Sequence, residues 1–382
     1  MSEWKECKLG DVAHLVKGTY KPKTGDHLPY IGLEHIQEQG LRLLSIGNSD
    51  SVTSQKFLFE PGDVLFGKLR PYFRKVVKPS FYGVCSTDIW VIRALEGNDQ
   101  NFLFYFFANQ EFVDTANSGD SGTRMPRADW DFIKNTLWLF PSLPEQRAIA
   151  AVLSSLDDKI DLLHRQNKTL DAMAEALWRK MFVEEANPNW EKGKLGDYGE
   201  IICGKTPSKK VAEYFGGHIP FIKIPDMHGN VFVFETEDSL TEAGRKSQQS
   251  KTIPARSICV SCIATVGLVV MNAIESQTNQ QINTIIPNKE SHRYFLFSLM
   301  RNMADELSAR ASGGTATDNL NTGDFSRIEI SKPPENFIQK FNDLVRAHFE
   351  KIYANQLQIR TLYSLRNTLL PKLMSGEVRV RA

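Results

Sequence analysis

Two copies of one unit make up this chain. Lys8-Leu9-Gly10-Asp11 returns as Lys194-Leu195-Gly196-Asp197, each a few residues after a tryptophan, Trp4 and Trp190. Pro29-Tyr30-Ile31 returns as Pro220-Phe221-Ile222, and Phe102-Leu103-Phe104 as Phe295-Leu296-Phe297. Gly122-Thr123 returns as Gly314-Thr315, Asp131-Phe132 as Asp324-Phe325, and Pro144-Glu145 as Pro334-Glu335. The matches keep one order at offsets of 186 to 193 residues. A repeat at nearly one period means one structural unit of about 190 residues used twice.

Each unit has two parts. The first is β-rich, with short apolar runs broken by Gly and Pro: Asp63 to Phe66, Val84 to Arg93, Phe221 to Ile224, Val231 to Phe234 and Ile258 to Val270. It also holds a short aromatic helix, near Asn101 to Phe112 and again near Ser291 to Met303. The second part is a long helix, from about Pro144 to Phe182 and from about Glu335 to Leu370. In the first helix Ile149, Leu153, Leu156, Ile160, Leu163, Asn167, Leu170, Ala174, Leu177 and Met181 advance in alternating steps of 4 and 3. In the second, Phe341, Val345, His348, Ile352, Asn355, Ile359, Leu362, Arg366, Leu369 and Leu373 do the same. That narrow seam with charged flanks is the pattern of a coiled coil; a helix on a globular core shows a wider stripe. Pro371 is expected to end or kink the second helix.

Asn167 and Asn355 fix the register. Facing each other in an antiparallel pair, they put Ile149 against Leu373 and Met181 against Phe341, so the whole seam overlaps. A parallel pair would bury each amide against an aliphatic residue. The expected fold is therefore α+β: two β-rich globular domains separated by a pair of long antiparallel coiled-coil helices, with pseudo-twofold symmetry. At about 1.5 Å rise per residue, the seam would hold the two heads roughly 50 Å apart.

Composition adds exclusions. Hydrophobic residues at 41% and charged residues at 24% are ordinary for globular chains. With 46 Lys and Arg against 45 Asp and Glu, the net charge is +1, so any nucleic-acid site must be a local patch. Five scattered cysteines read as reduced thiols. The N-terminus carries no basic region before an apolar core, so no signal peptide is expected. The uncharged stretch from Ser257 to Ile274 reads as two buried strands, because its polar residues and its Val and Ile suit a sheet better than a membrane span.

Catalytic motifs are sparse. Gly199 to Thr206 fits the phosphate-loop pattern G-x-x-x-x-G-K-[ST]. Its apolar residues, however, lie inside the loop, Pro207 follows at once, and no helical pattern succeeds it. A nucleotide-binding ATPase is thus an alternative with a weak motif, and a coiled-coil scaffold without DNA is another. Cys259-Val260-Ser261-Cys262 lacks the second pair that a zinc site needs, and on a strand its thiols point to opposite faces. There is no H-E-x-x-H spacing, no Gly-rich cofactor fingerprint, no serine elbow and no Asn-Pro-Pro-Tyr tetrapeptide.

One local charge signal stands out. From Val64 to Ser80 run Lys68, Arg70, Arg74, Lys75 and Lys78 with no acid, interleaved with Phe66, Tyr72 and Phe73. Either a nucleic-acid surface or a solvated strand face has this composition. Arg124 and Arg127 follow the repeated Gly-Thr, and the second unit offers Lys205, Lys209, Lys210, Gln277, Asn279, Gln280 and Gln281. Arg reads guanine and Asn or Gln reads adenine in the major groove. The two units share their frame and differ in these polar segments, as two readers of different sequences on one scaffold would.

At this point the sequence resembles the specificity subunit of type I restriction–modification systems. The resemblance is carried by Pro61-Gly62-Asp63-Val64-Leu65-Phe66-Gly67-Lys68-Leu69-Arg70-Pro71-Tyr72, by Cys85-Ser86-Thr87-Asp88, and by Pro141-Ser142-Leu143-Pro144-Glu145-Gln146-Arg147 at the start of the first long helix. In the second copy Thr278-Asn279-Gln280-Gln281-Ile282 and Leu370-Pro371-Lys372-Leu373-Met374-Ser375-Gly376-Glu377 carry it. Pro333-Pro334-Glu335-Asn336-Phe337 departs from it by lacking the Glu-Gln-Arg. The resemblance implies target recognition domains at 1–141 and 184–333, conserved coiled-coil helices at 142–183 and 334–376, and a tail at 377–382. It implies a non-catalytic, cytoplasmic subunit whose two domains each read half of a bipartite, asymmetric site in double-stranded DNA. Its implied partners are two adenine-N6 methyltransferase subunits and two ATP-dependent restriction subunits. S-adenosylmethionine, ATP and Mg2+ belong to those partners, and no cofactor is expected on this chain. Trp178 becomes a candidate for methyltransferase docking, or else a packing residue.

Overall fold

The computed structural model describes residues 4–23, 25–118, 125–312 and 320–380. Contacts divide the chain into unit 1, Met1–Asp161 with Arg360–Ala382, and unit 2, Leu162–Ile359. The strands of unit 1 are β1 (Lys5–Lys8), β2 (Ala13–Leu15), β3 (Thr19–Tyr20), β4 (Pro29–Ile31), β5 (Gly47–Asn48), β6 (Lys56–Phe59), β7 (Val64–Gly67), β8 (Val76–Val77), β9 (Gly83–Cys85), β10 (Ile89–Ala94) and β11 (Leu137–Phe140). Its short helices are α1 (Gln100–Ala108), α2 (Gln110–Ser118) and α3 (Trp130–Ile133), and the long helix α4 (Leu143–Arg179) begins in it. Unit 2 continues with β12 (Glu191–Lys194), β13 (Gly199–Cys203), β14 (Phe215–Ile222), β15 (Phe232–Val233), β16 (Ser239–Leu240), β17 (Ile258–Ser261), β18 (Val269–Asn272), β19 (Gln277–Thr278), β20 (Ile282–Pro287) and β21 (Glu329–Lys332). Its helices are α5 (Ile224–Met227), α6 (Glu242–Ser247), α7 (Arg293–Asn302), α8 (Ala304–Ala311), α9 (Thr322–Ser326) and α10 (Glu335–Met374), whose last turns pass into unit 1.

Unit 1 is built from a four-stranded sheet ordered β2-β10-β7-β8 and a five-stranded sheet ordered β3-β6-β9-β4-β5, with β1 paired to β11. The run from Val84 to Arg93 is two strands, not one, because Ser86–Asp88 turns the chain from one sheet to the other. Helix α1 starts where the Asp99 carboxylate accepts the Phe102 N–H at 2.8 Å, a cap worth about 1 kcal/mol. Every residue from Phe102 to Ala108 is buried, since α1 is covered on all sides. Tyr105 on α1 donates to Asp157 on α4 at 2.8 Å. Asp157 in turn holds the fully buried Arg366 of α10 at 2.9 Å.

Unit 2 repeats the plan with sheets ordered β13-β20-β17-β18-β15 and β16-β14-β19, and with β12 paired to β21. The repeat reaches individual backbone bonds. Ser86 N–H to Ile31 C=O has its copy in Asn279 to Ile222, and Lys68 to Asp88 in Cys262 to Gln281. Ala128 to Lys68 returns as Leu320 to Cys262. Left-handed backbone also recurs, at Arg70 (φ 51°) and Ala264 (φ 64°), and at Gly62 (φ 89°) and Arg256 (φ 67°). Ser257–Ile274 forms β17 and β18, two buried strands. No helix among the described residues is long and apolar enough to cross a membrane.

The long helices run antiparallel inside each unit. In unit 1, Ile149 and Leu153 share a core with Leu369 and Leu373. In unit 2, Leu170, Leu177 and Met181 share one with Phe341, Val345 and Ile352. Asn355 is buried and donates to Asn167 at 2.8 Å, so the two seam amides meet. Helix α10 begins at Glu335 and does not stop at Pro371; it runs on to Met374. Trp178 is buried in the unit 2 core, its ring tilted against Phe182 at 5.8 Å between centroids, so it is a packing residue and offers no docking surface.

Candidate nucleic-acid interface

In unit 1 the candidate cations sort into two groups. The β9–β10 turn, Ser86 to Asp88, is pinned to β4 by Ser86 N–H on Ile31 C=O at 2.9 Å. The Asp88 C=O accepts from Lys68 N–H at 2.9 Å. Arg70 N–H reaches Pro126 C=O at 2.8 Å, and Leu69 bridges Arg127 as an isolated β-pair. Lys68, Arg70 and Arg127 are therefore neighbours although 57 positions separate Arg70 from Arg127. The Arg127 side chain is 60% exposed and holds Asp88 at 3.3 Å. Arg124 and the repeated Gly122-Thr123 and Gly314-Thr315 lie outside the described residues.

Arg74 and Lys75 belong to the second group and are committed to the fold. Arg74 donates to Gln39 C=O at 2.7 Å, and burial, reinforced by the charge of Arg366, disfavours its charged form. Lys75 donates to Leu33 C=O at 2.9 Å and pairs with Glu38 at 3.3 Å. Lys78 is half-buried, bonded to Asn101 and set over the Phe104 ring, and burial lowers its pKa. An alternating basic and aromatic run does not reveal this split, because the left-handed turns at Arg70 and Arg74 aim neighbouring side chains differently.

In unit 2 the counterpart turn is Asn279 to Gln281. Lys205 N–H bonds Thr278 C=O at 2.9 Å, which places the exposed Lys205 beside Gln280. Thr206 Oγ1 donates to Gln280 Oε1 at 2.7 Å, fixing that exposed amide. Lys209 and Lys210 are exposed in the turn that follows. Asn279 is nearly buried and its amide is spent on Gln281, at 2.8 and 3.0 Å. Gln277 has to leave the set of base readers. Its side chain is fully buried and its amide nitrogen donates to Arg245 C=O, Gln248 C=O and Thr252 Oγ1. Thr206, which orients Gln280, is not among the residues the sequence singles out; its signal is the same Gly-Lys-Thr that imitates a phosphate loop.

That imitation dissolves in the structure. Gly199 to Cys203 is strand β13, paired residue by residue with β20. A side chain at Gly199 would strike the Ile286 carbonyl, and one at Gly204 would strike Thr278 and Asn279. Both glycines serve close backbone approach and cradle no phosphate. Cys259 and Cys262 face opposite cores, and burial pushes their thiols up to about 12 and about 11, far from reactive or metal-binding thiolates. Among the described residues no group of His, Cys, Asp and Glu is placed to hold a metal ion.

Both units thus present the same scaffold with different side chains: Lys68, Arg70 and Arg127 around Ser86–Asp88 in one, Lys205, Lys209, Lys210 and Gln280 in the other. The type I restriction modification DNA specificity domain matches residues 1–172 and again 187–343. The chain is 32% identical to the type I restriction enzyme HindI specificity subunit of Haemophilus influenzae, over 99% of this chain and all of that one. It is 27% identical to the MjaIX specificity subunit of Methanocaldococcus jannaschii, over 75% of this chain and 70% of that one. A crystal structure of a type I restriction–modification S subunit from M. genitalium shares the fold, with a TM-score of 0.60 at 15% identity, covering 97% of this chain and 96% of that one. The chain belongs to the type I restriction–modification specificity subunits, non-catalytic DNA-recognition proteins, and carries two copies of their recognition domain.

Proposed function

We propose that each unit reads one half of a bipartite, asymmetric site in double-stranded DNA, with the paired helices α4 and α10 setting the gap between the halves. The observation that carries this reading is the shared hydrogen-bond frame around the two turns, Ser86–Asp88 and Asn279–Gln281, with unlike side chains mounted on it. Identical frames supply the same approach to a groove, and unlike side chains supply different sequence preference. Lys68, Arg70 and Arg127 act in unit 1. In unit 2, Lys205, Lys209 and Lys210 meet phosphates while Gln280 offers a fixed amide to a base edge.

The outer faces of the helices dock two adenine-N6 methyltransferase subunits, and two restriction subunits complete the assembly in the cytoplasm. S-adenosylmethionine, ATP and Mg2+ are bound by those partners. The test is methylation-sensitive long-read sequencing of the source organism with and without this gene. Loss of N6-methyladenine from one split motif is the expected result. Should methylation stay unchanged, duplex binding by the chain with its methyltransferase partner decides, and failure to bind a specific duplex ends the reading.

A further inference from the structure

Unit 1 contains a small recognition device at the start of α4. Glu145 is 6% exposed and takes Arg379 in a two-pronged pair, Nε at 2.5 Å and Nη2 at 2.8 Å. The same guanidinium lies over the Trp4 ring, 5.4 Å from its centre. Trp4 and Val380 both pack against the unit 1 core. An arginine between two valines, Val378-Arg379-Val380, is thus held by a carboxylate, an indole and an apolar shelf.

The repeat supplies the same parts to unit 2. Trp190 stands where Trp4 does in the sequence, and Glu335 where Glu145 does. Here, however, they line a cavity of about 550 Å³ at the start of α10, together with Tyr198, Lys289, His292 and Pro334. The Glu335 side chain is 48% exposed, against 6% for Glu145, since no described segment of the chain covers it. His292 Nε2 lies 3.1 and 3.0 Å from the two Glu335 oxygens, Ser291 Oγ donates to Oε1 at 3.2 Å, and the exposed Lys289 reaches Oε2 from the rim at 3.0 Å.

We propose that this cavity binds an arginine side chain presented by an extended segment of a partner protein, in the manner in which unit 1 holds Arg379. The guanidinium pairs with both Glu335 oxygens, displacing Lys289 and the Ser291 hydroxyl to solvent while His292 stays beneath, and lies against Trp190. A lysine fits less well, because a point charge cannot span both carboxylate oxygens.

The test titrates the peptide acetyl-Val-Arg-Val-amide into the full-length chain by calorimetry, beside acetyl-Val-Lys-Val-amide. One saturable site is expected, with the lysine peptide at least about fivefold weaker and Glu335→Gln weakening the arginine peptide at least about tenfold. Glu335 is half-exposed, so the variant is expected to fold, and the lysine peptide tests the same point on the unaltered chain. No saturation at millimolar peptide, equal binding of the two peptides, or binding that survives Glu335→Gln overturns the proposal. Self-association of the chain that Arg379→Ala abolishes would assign the cavity to a second copy and overturn the partner reading.

Discussion

Arg127 keeps most of its side chain in solvent, while Arg74 donates to Gln39 C=O and lies under the field of Arg366. A cation can release counterions from DNA only if it is free to approach phosphate. Arg127→Ala should therefore weaken duplex binding and reduce the log–log salt slope by about 0.9. Arg74→Ala should leave the slope unchanged and lower the melting temperature. Salt titration of duplex binding for the two variants checks both; a slope that changes equally in both would remove the distinction. At this scale the sequence was a partial guide. Charge clusters are legible, but burial is not: Gln277 and Gln280 look alike in a Gln-rich segment, and only the fold shows that Gln277 is spent inside. The neighbourhood of Arg70 and Arg127 depends on a long-range bridge that no local pattern encodes.

The long helices were the most legible elements, because a seam of period 3.5 has one structural meaning and because two asparagines name each other as partners. The sheets were less so. Their strands are two to eight residues long, and central ones such as β7, β17 and β18 are buried at every position, which erases the alternation that betrays a strand. The asparagine pair allows a direct test. Asn167→Leu leaves the buried Asn355 amide with Gln166 at 3.4 Å as its remaining polar neighbour, at an expected cost of about 1–3 kcal/mol. Asn167→Leu with Asn355→Leu should recover most of that, since a leucine pair suits a seam, while loosening register. Denaturant unfolding of the singles and the double closes the cycle, and additive losses would show that the amides do not interact. A second link in unit 2 is pH-sensitive. Burial pushes the Glu350 carboxyl up, but the Arg256 guanidinium and the Tyr294 hydroxyl outweigh it and hold the pKa below the ordinary value. Its contribution is then complete above the unfolded value of about 4.3 and is lost as pH falls through the folded one. Glu350→Gln should lower the melting temperature at neutral pH and flatten its decline below about pH 4.3; an unaltered acid limb would show that the pair contributes nothing.

The chain repeats one unit, yet a subunit with two identical readers would recognise a symmetric site, so its asymmetry has to lie in what each copy mounts on the frame. Under the proposed function Ser86–Asp88 with its arginines and Asn279–Gln281 with its lysines would meet that need, provided something holds the readers at a set distance. Under the proposed function the helix pair does so, and the seam dictates how it can be altered. Seven residues inserted after Asp161 and seven after Ile359 leave every existing seam pair in register and add one layer of heptad. The rod then grows by about 10 Å at 1.5 Å per residue. At about 3.4 Å per base pair the gap between half-sites should widen by up to about three base pairs, with each half-site unchanged. Inserting seven residues into α4 alone should instead break the pairing and abolish specific binding, because every seam residue on one side of the insertion loses its partner. Methylome sequencing with the paired insertion reads the outcome as one split motif. A widened gap with intact halves supports the spacer role, and an unaltered gap in an active protein would transfer the control of distance from the helices to the DNA-reading units themselves.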